Sequence, residues 1–391
     1  MSAQTNPAAV LPSEGYPFPR MIRVAVICDF PEENWPSMDL VGKMLFDHLQ
    51  DNEFVTPHRV RPTMKFRTAR LGRSARFIGR FVQYPRLVRQ LASDFDLFHI
   101  VDHSYAHLAH ELPPGRTIVT CHDLDTFRCL IEPQRERRSF AFRSMTRRIL
   151  TGLQAAAHVT CDTAATRDAI LQHDLLPTDK LTVIHNGLNP ALSPDPDPVA
   201  DVEISHCLGR TKGTCPELLH VGSTIARKRI DILLSVFAKI RRHHADARLI
   251  RVGPQLTPEQ STLARSLGVL AHIDQLENID THLLGACYRR ASVLLQPSDA
   301  EGFGLPVLEA LACGTPVVAS DIASLREVGG NVSTYCPIAE INSWTVVVNK
   351  ILSFDRQTRS LNRSRGIEHT SRFTWTNYSN RMIDIYRQVL A

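Results

Sequence analysis

The sequence predicts an α/β architecture of two doubly wound parallel-sheet domains. Three observations lead there. Short β-branched or apolar runs alternate with helical stretches through both halves, the mark of parallel strands covered on both faces. The chain has 391 residues, more than one ordinary core holds and suited to two domains of about 150–200 residues each. A Pro-rich stretch at residues 193–202, SPDPDPVADV, separates the halves.

Each element follows in order. Residues 1–20 are polar and Pro-rich without an apolar signal-peptide core, so they read as a leader. Residues 22–28 (IRVAVIC) are the first expected strand, followed by a loop and a helix over 38–49. Further strands are expected at 97–101, 117–122, 158–162 and 181–186, completing a first domain over 21–190. A linker region, 191–214, leads to a second domain over 215–371. Its expected strands are 217–222, 248–253, 292–296 and 316–320, with helices such as 230–243. Residues 372–391 read as a final helix offering Trp375, Tyr378, Met382, Ile383 and Tyr386 for packing.

Bulk composition narrows the class. Apolar content of 43% and charged content of 22% are globular values, which excludes a disordered or fibrous chain. No window reaches the run of about 18 apolar residues that a membrane span needs. The 9 cysteines fall mostly in apolar strands or helices, without Cys-x-x-Cys or adjoining His clusters, so reduced thiols in a cytoplasmic protein are expected. Net charge is only +5, yet residues 54–93 contain no Asp or Glu and many Arg. Within Phe66 to Val88, Phe77, Phe81, Tyr84 and Val88 share one helical stripe flanked by Arg73, Arg76 and Arg80. Two readings stand: peripheral contact with an anionic membrane, or an aromatic stripe packed on the sheet with arginines in water. No nucleic-acid motif accompanies the arginines, and no nucleic-acid partner is expected.

The most informative stretch is 297–330, PSDAEGFGLPVLEALACGTPVVASDIASLREVGG. An apolar strand ends at Pro297, a Gly-spaced loop follows, and a helix can start at Leu305 with Pro306 in its first turn. The backbone N–H groups of Phe303, Gly304 and Leu305 then stand at the positive end of a helix, where phosphate or sugar oxygens bind well. Glu301 and Glu309 bracket the loop, and carboxylates are good acceptors for paired sugar hydroxyls. Phosphate in the middle with polyols at both ends describes a nucleotide sugar. In the same half, Gly222-Ser223 ends a strand and leads to Arg227-Lys228 before a helix, and cations held beside a departing diphosphate would stabilise the charge it accumulates. Gly253 ends another strand at the expected cleft. In the first half, His122 ends the strand 117–122 at the sheet edge where open α/β folds bind ligands. Asp123-Leu124-Asp125 permits a counter-reading as a metal site bridging a diphosphate.

The 297–330 string resembles the donor-site signature of retaining glycosyltransferases of family 4, the group 1 transferases: a Glu, seven residues, a second Glu. The resemblance implies the GT-B fold, two Rossmann-like domains facing a cleft, with the last helix crossing back onto the N-terminal domain. Packing of that helix on its own domain fits the same pattern. By the resemblance, Glu309 would hold the ribose hydroxyls and Glu301 the transferred sugar, with backbone contacts from Phe303, Gly304 and Leu305. Arg227 and Lys228 would bind the diphosphate, His122 would face the transferred sugar, and Asn186-Gly187 would form a turn at the cleft. Two departures stand out. Many relatives carry Arg directly after the strand-end Gly, where this chain has Ser223, and a Gly-Gly in the first loop, where it has residues 29–39 with Glu32, Glu33 and Trp35. The expectation is a metal-independent hexosyltransferase without cofactor. It would move a sugar from a UDP- or GDP-linked donor to a hydroxyl acceptor, lipid-linked or polysaccharide. The alternatives are a nucleotide-sugar isomerase or hydrolase of this fold, and a non-catalytic nucleotide-sugar-binding subunit.

Overall fold

The computed structural model describes residues 21–64 and 76–391. They form two six-stranded, wholly parallel sheets. The first contains β1 (Ile22–Ile27), β2 (Val55–Val60), β3 (Leu97–Ile100), β4 (Thr117–Cys121), β5 (His158–Cys161) and β6 (Leu181–Val183), in the order 2-1-3-4-5-6. The second contains β7 (Glu217–Val221), β8 (Arg248–Val252), β9 (Ile273–Leu276), β10 (Val293–Gln296), β11 (Val317–Ser320) and β12 (Thr334–Cys336), in the order 12-11-10-7-8-9. Both are doubly wound. The strand order reverses between β1 and β3 in one sheet and between β7 and β10 in the other. Ligands of such sheets bind beyond the carboxyl ends of the strands at these reversals.

The expected strands are present within a residue or two, except that 181–186 keeps only its first half. Their burial explains why they could be read: β3, β4, β5, β10 and β11 are buried along their whole lengths. Strands β2, β9 and β12 were not foreseen. Each lies at or beside a sheet edge, is only partly buried, and so carries no apolar run.

The region expected as a linker needs correction. Pro198–Leu208 is a helix, with Pro198 in its first turn, the Asp197 side chain accepting from Ala200 N (3.1 Å) and Gly209 in the left-handed region at its end. Ala200 and Ile204 are buried in the second domain's core with Leu192 and Ala286. Its prolines mark a helix start as well as a chain break, and composition alone does not distinguish the two.

The last helix, Trp375–Leu390, crosses back to the first domain. Met382, Ile383 and Tyr386 pack with Val24, Val26, Val41 and Leu45, and Tyr386 Oη meets His99 Nδ1 at 2.8 Å. Tyr84 and Val88 of the basic segment are buried, and Phe81 stacks on His107 with centroids 4.5 Å apart. That is the packed reading for the described part of the stripe, which leaves Phe77 exposed; Arg73 and the other residues from 65 to 75 lie outside the described residues. No helix among the described residues is long and apolar enough to cross a membrane. The cysteines are unpaired, and only Cys207 is exposed.

Candidate active site

The switch point of the second sheet carries the site. Beyond the end of β10, the Glu301 carboxylate is buried at the centre of four donors. Its Oε1 accepts from Lys228 Nζ (2.6 Å), Gln296 Nε2 (2.6 Å) and Ser298 Oγ (2.7 Å), and its Oε2 accepts from Arg227 Nη1 (3.1 Å). Burial opposes its ionisation, but Lys228 and Arg227 overcome that and hold its pKa at about 2. A carboxylate so placed is a fixed anion, unsuited to proton transfer near neutral pH.

Arg227 and Lys228 come from a short 3-10 turn, Ala226–Lys228, reached from β7 through Gly222 and Ser223. Two ties lock this turn to the β10 loop: Asp299 N donates to Arg227 O (2.8 Å), and Arg229 Nη1 donates to Asp299 Oδ1 (2.9 Å). Gly222 and Gly253 end neighbouring strands, each N–H donating to the next strand (Val252 O and Leu276 O, both 2.9 Å). Beneath them Arg251 is fully buried, and its Nη2 donates to Gly222 O (3.1 Å). A cavity of about 360 Å³ opens beside Arg227, lined by Arg128, Arg229, Gln260 and Asp299 among others.

The loop from Glu301 enters the helix Leu305–Ala312 at Gly304, whose φ of 95° suits glycine; a Cβ there would lie 2.5 Å from Leu325 Cδ2. In the first turn of that helix Pro306 has no N–H and Val307 N donates to Gly304 O (2.9 Å), so the N–H groups of Phe303, Gly304 and Leu305 precede the first helical hydrogen bond. The Phe303 side chain is spent on packing against Phe373 (centroids 6.0 Å), so only its backbone can serve a ligand. Glu309 is buried and accepts from Tyr288 Oη (2.7 Å); burial raises its pKa in spite of that bond.

The first domain closes directly on this loop. A Cβ on Gly302 would lie 2.1 Å from His122 O, and Thr163 Oγ1 donates to Gly302 O (2.9 Å). Glu327, from the second domain, accepts from Ala164 N (2.8 Å) and Ala165 N (3.3 Å) at the start of the helix Ala164–Gln172. Arg227 spans the boundary, with Nε 2.8 Å from Asp125 Oδ2 and Nη2 3.7 Å from Asp123 Oδ2.

Residues 20–192 match the family profile described as Glycosyltransferase Family 4, and residues 209–363 match that described as Glycosyl transferases group 1. The chain belongs to the family 4, group 1 glycosyltransferases. It is similar to a D-inositol 3-phosphate glycosyltransferase of Segniliparus rotundus, 31% identical over 181 residues, 44% of this chain and 39% of that protein. It is also similar to an O-antigen chain mannosyltransferase B of Escherichia coli, 34% identical over 100 residues, 26% of each chain. These matches thus span well under two thirds of the curated relatives' own lengths. Solved structures share the fold. WaaG, a glycosyltransferase involved in lipopolysaccharide biosynthesis, aligns over 93% of this chain and 99% of its own with a TM-score of 0.69 at 17% identity. Anabaena HepE in complex with UDP-glucose aligns over 94% of this chain and 100% of its own with a TM-score of 0.72 at 16% identity.

In this chain the expected second-domain residues Glu301, Arg227 and Lys228 converge, Gly222, Ser223 and Gly253 follow the ends of β7 and β8, and Gly304, Leu305 and Glu309 lie on the loop and helix after Glu301. His122 stands at the cleft edge but differs from the expectation. Its Nδ1 meets Asp162 Oδ2 (2.6 Å) and its Nε2 meets Val101 O (2.7 Å), both inside the first domain. Both partners are acceptors, so the ring carries two protons. Burial disfavours that charge, yet Asp162 and Asp102 outweigh it and raise the pKa to about 10. Only its backbone carbonyl meets the donor loop. Asp274, in β9, is paired with Arg210 (2.6 Å) and Arg248, a structural role. Gln296, Ser298, Asp162 and Arg251 were missed; the shared signal was a polar residue within or just past the end of an apolar strand.

Proposed function

We propose that this chain transfers a sugar from a nucleoside diphosphate sugar to a hydroxyl acceptor, with retention at the anomeric carbon. The observation that carries the reading is the Arg227–Lys228–Glu301 assembly at the switch point of the second sheet, facing the first domain. The cations sit where a diphosphate leaving group gains charge, and Glu301 fixes their positions before the donor arrives. Nearby carboxylates are committed to cations: Asp125 to Arg227 and Arg128 (both 2.8 Å), and Glu301 to Lys228 and Arg227. That favours front-face attack without a protein nucleophile. The acceptor oxygen bonds to the anomeric carbon as its bond to phosphate oxygen breaks, and the departing phosphate oxygen takes the acceptor's proton. The fold neighbour HepE forms a complex with UDP-glucose, and a uridine or guanosine diphosphate donor suits the site. We place the enzyme in the cytoplasm. Among the described residues, a membrane contact through the 66–88 segment would rest on Phe77 and Arg76, because Tyr84 and Val88 are spent in the core; sedimentation with anionic liposomes across a salt series tests it. For the activity itself, a panel of nucleotide sugars with and without sugar acceptors is decisive. Acceptor-dependent release of nucleoside diphosphate is expected; tight donor binding without turnover would overturn the reading.

A further inference from the structure

The cations that face the expected donor are already balanced. Lys228 and Arg227 share the Glu301 carboxylate, Arg227 also meets Asp125, and Asp123 stands 3.7 Å from its Nη2. Of the other arginines beside the cavity, Arg128 is paired with Asp125, and Arg229 with Asp231 and Asp299. A diphosphate approaching this surface therefore finds no excess of positive charge on it. Arg251 differs. It is fully buried in β8, in register with His220 of β7. Its described partners are all uncharged: Nη1 donates to Pro254 O and to Gln275 Oε1 (3.1 Å), and Nη2 donates to Gly222 O (3.1 Å). Its Nε has no partner among the described groups. Burial lowers its pKa to about 10 against the pull of Glu277, which leaves it charged at neutral pH.

The position of this charge ties it to the donor site. The carbonyl of Gly222, just past the end of β7, faces Gly253 so closely that a Cβ on Gly253 would lie 2.1 Å from the oxygen. A Cβ on Gly222 itself would meet His220 Cε1 at 3.5 Å and Lys228 Cε at 3.6 Å. Arg251 and Lys228 thus both adjoin one residue, and Lys228 holds Glu301. The peptide joining Gly222 to Ser223 is trans, so its N–H points away from the carbonyl that Arg251 holds. That Ser223 N–H has no acceptor among the described residues. Donation to the carbonyl polarises the peptide unit and strengthens its N–H as a donor. His220 adds no charge of its own. Burial, and then Arg251 and Lys228, lower its pKa to about 3, and neither ring nitrogen has a partner among the described groups.

A buried cation without a carboxylate beside it is unfavourable, and an anion brought to the surface above it relieves that. We propose that Arg251 is a positioning residue for the donor: from beneath the sheet end it supplies the unbalanced positive charge that draws the diphosphate, and it readies Ser223 N–H for a phosphate oxygen. Arg251 does not touch the donor. It acts through the Gly222–Ser223 peptide and through its field, which salt screens little because the charge is buried. The assignment rests on the transferase reading and adds to it a residue that sets diphosphate affinity.

Calorimetry and ligand-observed NMR on the full chain at pH 7 test it. The probes are UDP beside uridine and GDP beside guanosine, and the readout is the ratio of nucleoside Kd to diphosphate Kd. Arg251→Gln keeps a hydrogen-bonding side chain and removes the charge. It should lower that ratio about ten-fold and leave the nucleoside Kd unchanged, which also reports an intact fold. Arg251→Lys keeps the charge without the planar fork, and should hold the ratio within about three-fold of the unaltered chain. A residue that only braced the β8 end would weaken nucleoside and diphosphate alike, and Lys would not rescue the ratio. An unchanged ratio in Arg251→Gln, a loss shared equally by both probes, or a ratio as low in Arg251→Lys as in Arg251→Gln overturns the proposal. If Arg251→Gln does not fold, Arg251→Met removes the same charge and is read in the same way. Diphosphate binding by the unaltered chain with any of these results defeats this proposal alone. No diphosphate bound by the unaltered chain defeats the transferase reading, and this proposal with it.

Discussion

Arg227 Nε lies 2.8 Å from Asp125 Oδ2, so a cation rooted in the second domain is neutralised by a carboxylate of the first. A diphosphate must compete with that carboxylate for the same guanidinium. Asp125→Asn should therefore tighten nucleoside diphosphate binding by about three- to ten-fold, the worth of one partly exposed ion pair. The same exchange needs no divalent ion, and activity in EDTA should stay close to its starting value. Isothermal calorimetry and a chelation assay check the two expectations. Weaker binding in Asp125→Asn, or activity lost in EDTA and restored by Mn²⁺, would give Asp123 and Asp125 a metal instead.

Glu301 organises rather than reacts. Glu301→Gln keeps the shape but loses the charge that holds Lys228 and Arg227, and turnover should fall by about a hundred-fold or more. Lys228→Ala should cost turnover and also stability, about 3–5 kcal/mol, because it strips a buried carboxylate of its closest cation. Steady-state kinetics with denaturant unfolding separates the two effects. Near-normal turnover in both variants would remove Glu301 and Lys228 from the machinery.

The His122–Asp162 pair sets a pH dependence with a definite sign. The folded pKa of His122, about 10, lies above the ordinary value of 6.5, so the folded chain keeps a proton that the unfolded chain releases between those values. Its stabilisation is complete below pH 6.5 and is lost as pH rises toward 10. The melting temperature should fall by several degrees across that window. Asp162→Asn should melt lower at pH 7 and show a flatter slope. Glu301 acts in the opposite sense: its contribution is present above pH 4.5 and is lost as pH falls toward 2.

Much of this was legible in the sequence, for reasons that differ by element. Strands buried on both faces, such as β4 and β10, write themselves as apolar runs, and the Gly302–Gly304 loop with Pro306 announces a helix start. The edge strands β2 and β9 bury too little to leave a pattern. The role of His122 was read from its place at a strand end, yet its partner Asp162 lies 40 residues away and only the pairing of β4 with β5 brings them together. Asp125 and Arg227 belong to different domains, so no local pattern could link them.

Gly302 reports on closure of the cleft. Its Cα faces the His122 carbonyl so closely that an added Cβ would sit 2.1 Å from the oxygen, against backbone that cannot swing aside. Gly302→Ala must therefore hold the domains apart or displace the loop that carries Glu301. Arg227 and Lys228 remain on their own turn in the second domain and Arg227 is released from Asp125, so nucleoside diphosphate affinity should be kept or rise by up to about three- to ten-fold. The contacts that depend on closure, Thr163 to Gly302 and Arg227 to Asp125, should be lost together. The expected result is a larger radius of gyration by small-angle scattering and a turnover about a hundred-fold lower, because the reacting groups no longer meet in one geometry. An unchanged radius with normal turnover would mean that the loop yields locally and that closure at Gly302 is not required for transfer.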